Sequence, residues 1–187
     1  MKTIYTIIFS LTIISLTCNA QTITNVSAKI NVPDGTHLVF HDLNNSGSGA
    51  SFYYNTSLSV AGNWSNLSPA VFSSGASGQV TFNGNTTQNV QCGGSAFGVL
   101  TINNTASGDY AIELTDNMII SEDLNLTQGI VNGNGNKVVF QDGAASDIGS
   151  QSSFLDAEVV KTGTTAFTFP TGNINQRDLD GNSSDEN

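Results

Sequence analysis

Basic residues, cysteine and proline are scarce in this chain of 187 residues. Five Lys and Arg stand against fifteen Asp and Glu, a formal net charge of -10. Nucleic acid and anionic membrane surfaces are recognised through a basic patch, so a chain this poor in cations is excluded from both classes of partner. There are two cysteines and three prolines. Cys18 falls in the N-terminal leader, which leaves Cys92 alone and rules out an internal disulfide. An exported domain without disulfides draws its stability from strand pairing and burial, and Cys92 reads as a small buried hydrophobe rather than a reactive thiol. After Gln21 no segment keeps a 3.6-residue apolar rhythm, which argues against helices, and no apolar run approaches the length of a membrane span.

The leader itself is well formed. Lys2 supplies a positive start, Ile4 to Leu16 an apolar run, and Cys18-Asn19-Ala20 a small-residue junction, so residues 1–20 are expected to be a signal peptide cleaved before Gln21, giving a secreted or cell-surface protein. A lipoprotein signal acylated at Cys18 competes, but Thr17 is large for the position it would then occupy. Residues 21–174 form the expected domain. From residue 175 to 187 the apolar component is lost, and an acidic, disordered tail is expected. Apolar residues make up 38% of the chain, enough for a core, while Asn, Ser, Thr and Gly together reach close to half of it.

What the chain does have is a cadence of apolar triplets and Asn/Gly turns. Val80-Thr81-Phe82 precedes Asn83-Gly84, Leu100-Thr101-Ile102 precedes Asn103-Asn104, and Val138-Val139-Phe140 precedes Gln141-Asp142-Gly143. Each triplet reads in-out-in on a pleated strand, and each polar cluster supplies turn residues. Strands are expected at 22–31, 37–41, 57–61, 79–82, 98–103, 110–114, 117–120, 124–126, 137–140, 158–161 and 166–169, with a Gly/Ser/Asn loop at 44–51, so the fold class is all-β. The anchors Phe82, Ile102, Phe140 and Val160 sit at multiples of about twenty residues, the period of a parallel β-solenoid whose coils stack at roughly 4.8 Å. Leu114, Ile120 and Leu126 break that period. Asn83-Gly84 is also a strong hairpin signal, so an antiparallel β-sandwich is the alternative.

Three segments carry a family resemblance: Leu58-Ser59-Val60-Ala61-Gly62-Asn63-Trp64-Ser65-Asn66, Gly78-Gln79-Val80-Thr81-Phe82-Asn83-Gly84, and Gly98-Val99-Leu100-Thr101-Ile102-Asn103-Asn104. They resemble consecutive coils of the exported, Asn/Gly/Thr-rich β-solenoid surface proteins of the Bacteroidota. Leu124-Asn125-Leu126-Thr127-Gln128-Gly129-Ile130-Val131 and Phe167-Thr168-Phe169-Pro170-Thr171-Gly172 are similar to later elements of the same proteins. The resemblance implies an adhesin-like or structural role associated with type IX secretion, without catalysis. Relatives commonly end in a sorting domain that this chain lacks, so a truncated member is expected. A carbohydrate-binding module, or a fragment of a polysaccharide-processing β-helix protein, is the second expectation.

No catalytic, cofactor-binding or metal-binding constellation is expected. His37 and His41 lie on one strand face about 13 Å apart, too far to share a metal. Asp156 and Glu158 fall about 6.6 Å apart on one strand face, close to the separation of paired glycosidase carboxylates, yet no Arg or aromatic residue stands beside them in sequence. Glu122-Asp123 reads as a polar turn. Asp178-Leu179-Asp180-Gly181-Asn182 echoes an acidic calcium loop but misses its register. The residues that could bind are aromatic: Phe52, Tyr53, Tyr54 and Trp64 could form a platform stacking on a surface glycan or matrix component, the partner class the composition leaves open.

Overall fold

The structure is a computed structural model that describes residues 21–174. The expected signal peptide and acidic tail, and with them the Asp178 to Asn182 segment, lie outside the described residues. Among those residues there is no α-helix, and the chain winds into a parallel β-solenoid of about seven turns of roughly 21 residues.

The first coil is β1 (Thr22–Asn25), β2 (Lys29–Val32) and β3 (His37–Phe40). The second is β4 (Asp42–Asn45), β5 (Ser51–Tyr54) and β6 (Ser57–Val60), and the third β7 (Trp64–Asn66), β8 (Val71–Ser74) and β9 (Gln79–Phe82). In the fourth and fifth coils the second and third strands fuse: β10 (Gln88–Gln91) is followed by β11 (Ala96–Asn103), and β12 (Ile112–Leu114) by β13 (Met118–Gln128); in the next coils the first and second strands join instead. The sixth coil is β14 (Val131–Phe140) with β15 (Ala145–Ser146), and β16 (Leu155–Lys161) begins the seventh. The long strands turn a corner at their register shifts, between Phe97 and Val99 in β11 and between Asn132 and Lys137 in β14. Three faces result. Strands on faces one and three pair in parallel with the coil before and the coil after; on face two the ladder runs β2-β5-β8 and starts afresh from β11 to β13.

Parallel stacking places like on like. Face one runs Ile23, Leu43, Trp64, Val90, Leu114 in register, and face three runs Leu38, Leu58, Val80, Leu100, Leu124 beside Phe40, Val60, Phe82, Ile102, Leu126. Face two stacks Ile30, Phe52 and Phe72, then Phe97, Ile120 and Phe140. Most of these side chains are fully buried. Trp64 stands at the centre, with Phe72 and Phe97 at ring distances of 5.1 and 5.3 Å and Phe82 at 6.2 Å edge-on. The even polar/apolar alternation along each strand allows one continuous apolar column inside and a polar surface outside.

The alternation expected of the triplets is present: Phe82, Ile102 and Phe140 are buried, while Thr81, Thr101 and Asn125 are half-exposed. The period is more interesting than expected. Leu114, Ile120 and Leu126, which seemed to break it, are the buried residues of one coil on its three successive faces. Conversely, Phe82 and Ile102 share face three, but Phe140 belongs to face two, and Val160 pairs with Val139 on the outer side of that face. The antiparallel alternative fails, since every ladder between named strands is parallel and the only described antiparallel contact is an isolated Ser150–Ser153 bridge. Asn83-Gly84 is no hairpin: neither residue has a positive φ, and Gly84 is required because a Cβ there would lie 2.5 Å from the Ala61 carbonyl oxygen. Left-handed backbone occurs elsewhere, as at Gly143 (φ 80°) and at the pair Asn134 (φ 50°) and Gly135 (φ 83°), which opens the bend in β14. Six strands were missed from sequence (β4, β5, β7, β8, β10, β15), and residues 166–169, expected as strand, are irregular.

Two internal polar ladders hold the corners. Asn25, Asn45 and Asn66 are buried one above another after face one: Asn25 Nδ2 donates to Asn45 Oδ1 at 2.8 Å, Asn45 Nδ2 to Asn66 Oδ1 at 2.6 Å, and Asn66 Nδ2 to the Cys92 carbonyl at 2.9 Å. Cys92 follows Asn66 in the column, and Asp116 comes next, accepting the backbone N–H groups of Cys92 and Gly93, each at 2.7 Å. The second ladder runs from Asn104 Nδ2 to Gln88 Oε1 at 2.8 Å, and from Gln88 Nε2 to the carbonyls of Val60 and Gly62.

Candidate functional site

The corners from face three to face one are short in the early coils, where Phe40 and Leu43 are nearly adjacent in sequence. They lengthen through the first coils, until eight residues link Asn103 at the end of β11 to Ile112 at the start of β12; only two link β13 to β14, and eight again link β15 to β16. The composition of the 103–112 link, Asn-Thr-Ala-Ser-Gly-Asp, suits a loop, and the coil spacing announces it: Phe82 to Ile102 is 20 residues, whereas Ile102 to Leu126 is 24. The extra residues leave the wall as an arch.

Both feet of this arch are anchored. The Asn104 N–H donates to the Gln128 carbonyl at 3.0 Å and the Thr105 N–H to the Gly84 carbonyl at 2.9 Å, while Ala106 N–H is held by Asn104 Oδ1 at 2.7 Å. On the far side the Ala111 N–H donates to the Ile130 carbonyl at 2.9 Å, and Thr87 Oγ1 to the Tyr110 carbonyl at 2.8 Å. Tyr110 reaches across two coils, its hydroxyl donating to Asp156 Oδ2 at 3.0 Å. Partial burial, that hydrogen bond and the charges of Asp156, Asp109 and Glu113 all hold the phenol above its ordinary pKa, so it remains a donor. The crest, Ser107-Gly108-Asp109, is exposed.

Beneath the crest lies an open cleft of about 240 Å³, floored by Gly129 and Ile130 and bordered by Asn104, Ser107, Asp109, Gln128 and Ser152. Among the described residues the side chains of Ser107, Asp109 and Gln128 make no hydrogen bond, which leaves a hydroxyl, a carboxylate and a carboxamide at the cleft. No Lys, Arg or His among the described residues borders the cleft. Such a set can bind through hydrogen bonds; it contains no nucleophile paired with a base.

The aromatic platform expected from sequence is not formed. Phe52 and Tyr54 point into the face-two core, Trp64 into the face-one core, and all three are buried; Tyr53 alone, at 40% exposure, reaches the surface. The reason is pleat parity: Phe52 and Tyr54 are two apart and share the inner side, so adjacency in sequence put Tyr53 on the opposite one. Tyr54 Oη lies beside Ser74 and Gly98 without a hydrogen bond of ordinary geometry, and Trp64 Nε1 likewise has no partner.

The other tempting residues have ordinary engagements. His37 Nε2 lies 3.4 Å from Ser59 Oγ, and His41 Nδ1 contacts Asp42 Oδ2 at 3.0 Å. Asp42 also accepts the Asn63 N–H; partial burial opposes its ionisation, but the hydrogen bonds and the His41 charge outweigh it and hold the carboxyl below its usual value. Asp156 and Glu158 do not share a face, because β16 turns between them: Asp156 pairs with Asn132 on face one, and Glu158 with Lys137 on face two, where the side chains meet at 2.7 Å. Glu122 and Asp123 are exposed at the corner of β13. Among the described residues no group of three or more His, Cys, Asp or Glu is placed to hold a metal, and no helix is long and apolar enough to cross a membrane. Cys92 is fully buried, and burial, with the nearby Asp116 charge, pushes its thiol well above the ordinary range.

Comparison with family models, curated proteins and solved structures yields no match.

Proposed function

We propose that this chain is an exported, non-catalytic interaction module, a structural or adhesive element of a cell surface or matrix, with a surface glycan or matrix component as its partner. The observation that carries the reading is the arch and its cleft. A rigid rod of stacked coils holds one irregular polar loop by anchored feet and leaves its hydroxyl, carboxylate and carboxamide unengaged. Groups of this kind recognise a polar partner without transforming it. The leader at residues 1–20 supports export, and the similarity of the coils to adhesin-like solenoids supports a surface role. The cleft also favours the second reading, a carbohydrate-binding module, over a protein-binding face.

The test is to produce the chain with its leader in a bacterial host, sequence the exported product, and measure its retention on immobilised polysaccharides and matrix proteins, while assaying the same polysaccharides for new reducing ends. Export starting at Gln21, retention on at least one surface and no new reducing ends are expected. Cytoplasmic accumulation, or cleavage of a polysaccharide, would overturn the proposal.

A further inference from the structure

We infer that the cleft under the 103–112 arch is a binding site for a single neutral sugar ring, the terminal or exposed residue of an uncharged glycan. The inference rests on the reading of the chain as an interaction module and supplies that module's site and ligand class.

Size comes first. A cleft of about 240 Å³ holds roughly eight waters at about 30 Å³ each, the space of one pyranose ring with its hydroxyl groups. Chemistry narrows the choice further. Asp109 presents two acceptor oxygens, which match a pair of adjacent hydroxyl donors; Gln128 offers one acceptor and two donors; Ser107 offers one of each. That mixture suits a molecule whose every group both donates and accepts, and a carboxylate held by charge-assisted hydrogen bonds is the strongest contact available. The floor is the bare backbone of Gly129 above the buried Ile130. Tyr110, between the lining residues Asp109 and Ala111, ties the arch to β16 through its hydrogen bond to Asp156.

Charge excludes the rest. Asp109 with no cation in the lining, on a chain of net charge -10, repels uronate, sulfate and phosphate groups. The site is also pre-organised. Hydrogen bonds from Asn104, Thr105, Ala106 and Ala111 fix the loop before any ligand arrives, so binding orders few new groups.

The experiment is a titration of isotope-labelled residues 21–187 with methyl glycosides of neutral hexoses and with galacturonate, followed by amide chemical shifts. At least one neutral glycoside is expected to shift the amides of residues 104–111 and 128–130 while leaving 79–82 unmoved, with galacturonate binding at least tenfold more weakly. Asp109→Ala and Gln128→Ala should each weaken that binding at least tenfold and leave the melting temperature unchanged, whereas Thr81→Ala on face three should do neither. No shift with any neutral sugar at millimolar concentration, shifts mapping elsewhere, or full affinity in the Asp109→Ala variant would overturn the inference. Retention of the Asp109→Ala variant on the surfaces that hold the unmodified protein would sink the site while the broader reading stands. Loss of all retention by the unmodified protein would remove the reading itself.

Discussion

Replacing Asn45, the middle rung of the buried asparagine ladder, tests how much of the fold depends on polar groups inside it. Asn45 is fully buried, accepts from Asn25 Nδ2, and donates to Asn66 Oδ1 at 2.6 Å and to the Val71 carbonyl at 2.9 Å. Asn45→Ala removes both donors and leaves two acceptors without them. Each buried unsatisfied group costs about 1–3 kcal/mol, so the variant should lose about 2–5 kcal/mol, a large share of the roughly 5–15 kcal/mol a domain possesses. With a urea slope of about 1–3 kcal/mol per molar, the midpoint should fall by about 1–2 M. Asn45→Asp keeps the shape but places an anionic oxygen against two acceptors, so at neutral pH it should be worse than alanine. Its folded-state pKa must then lie above the unfolded value of about 3.9, so the folded form holds more protons and the variant's deficit grows as pH rises above that value. Measured as the difference from unmodified protein at each pH, the deficit should be smallest near pH 4. Asn45→Asp within about 1 kcal/mol of the parent at pH 7 would refute the ladder as a source of stability.

Other substitutions probe single links of the same chain of cause. Phe82→Ala removes a ring packed edge-on to Trp64 and Phe97 and should cost about 3–5 kcal/mol, whereas Thr81→Ala on the outer side should change stability by no more than about 0.5 kcal/mol; comparable losses in urea melts would break the inside–outside assignment. Tyr54→Phe discards a buried hydroxyl that has no hydrogen bond, so it should be neutral or slightly stabilising, and a loss above about 2 kcal/mol would mean that the hydroxyl is engaged. Gly84→Ala drives a methyl into the Ala61 carbonyl and should cost about 1–3 kcal/mol, measured by thermal melting, with no change expected in sheet content by circular dichroism. Cys92 should resist a thiol reagent in buffer and react stoichiometrically in urea; rapid labelling of the native protein would contradict its burial.

The apolar strands of face three could be read from sequence because they obey period two and are closed by turn residues, as at Gln79–Phe82, whose bounds match expectation. Faces one and two were harder. Strands such as Asp42–Asn45 and Gln88–Gln91 bury Asn and Gln at the corners, so their inward positions look polar and the alternation disappears. Side-chain hydrogen bonding replaced hydrophobicity as the signal. The Asn83-Gly84 dipeptide misled for a related reason: glycine answers equally to a left-handed backbone and to a crowded one, and only the neighbouring coil distinguishes them. The cleft was written in the sequence as a change of spacing, from 20 to 24 residues between aligned anchors, but that change is invisible until Ile102 and Leu126 are known to share a column. The aromatic cluster at Phe52 to Trp64 looked like a surface feature because composition marks aromatics as binding residues, whereas pleat parity decides which of them face inward.

The asparagine ladder repeats with the coil, so it makes coils interchangeable. Asn25, Asn45 and Asn66 each donate upward, Asn45 and Asn66 accept from the rung below, and the leucine, valine and phenylalanine columns beside them repeat in the same register. Excising residues 41–61 would bring Asn25 beneath Asn66 and Phe40 beneath Phe82, re-forming each rung with the partner one storey higher. A rod built this way can change length by whole storeys of roughly 4.8 Å without a new interface. Partial excisions enjoy no such freedom, because half a coil sets a polar corner against an apolar column. Circular dichroism should show native sheet content per residue for the 41–61 deletion and its loss for a ten-residue deletion within that span. Length is therefore a property this architecture can vary while the arch, several coils away, keeps its shape.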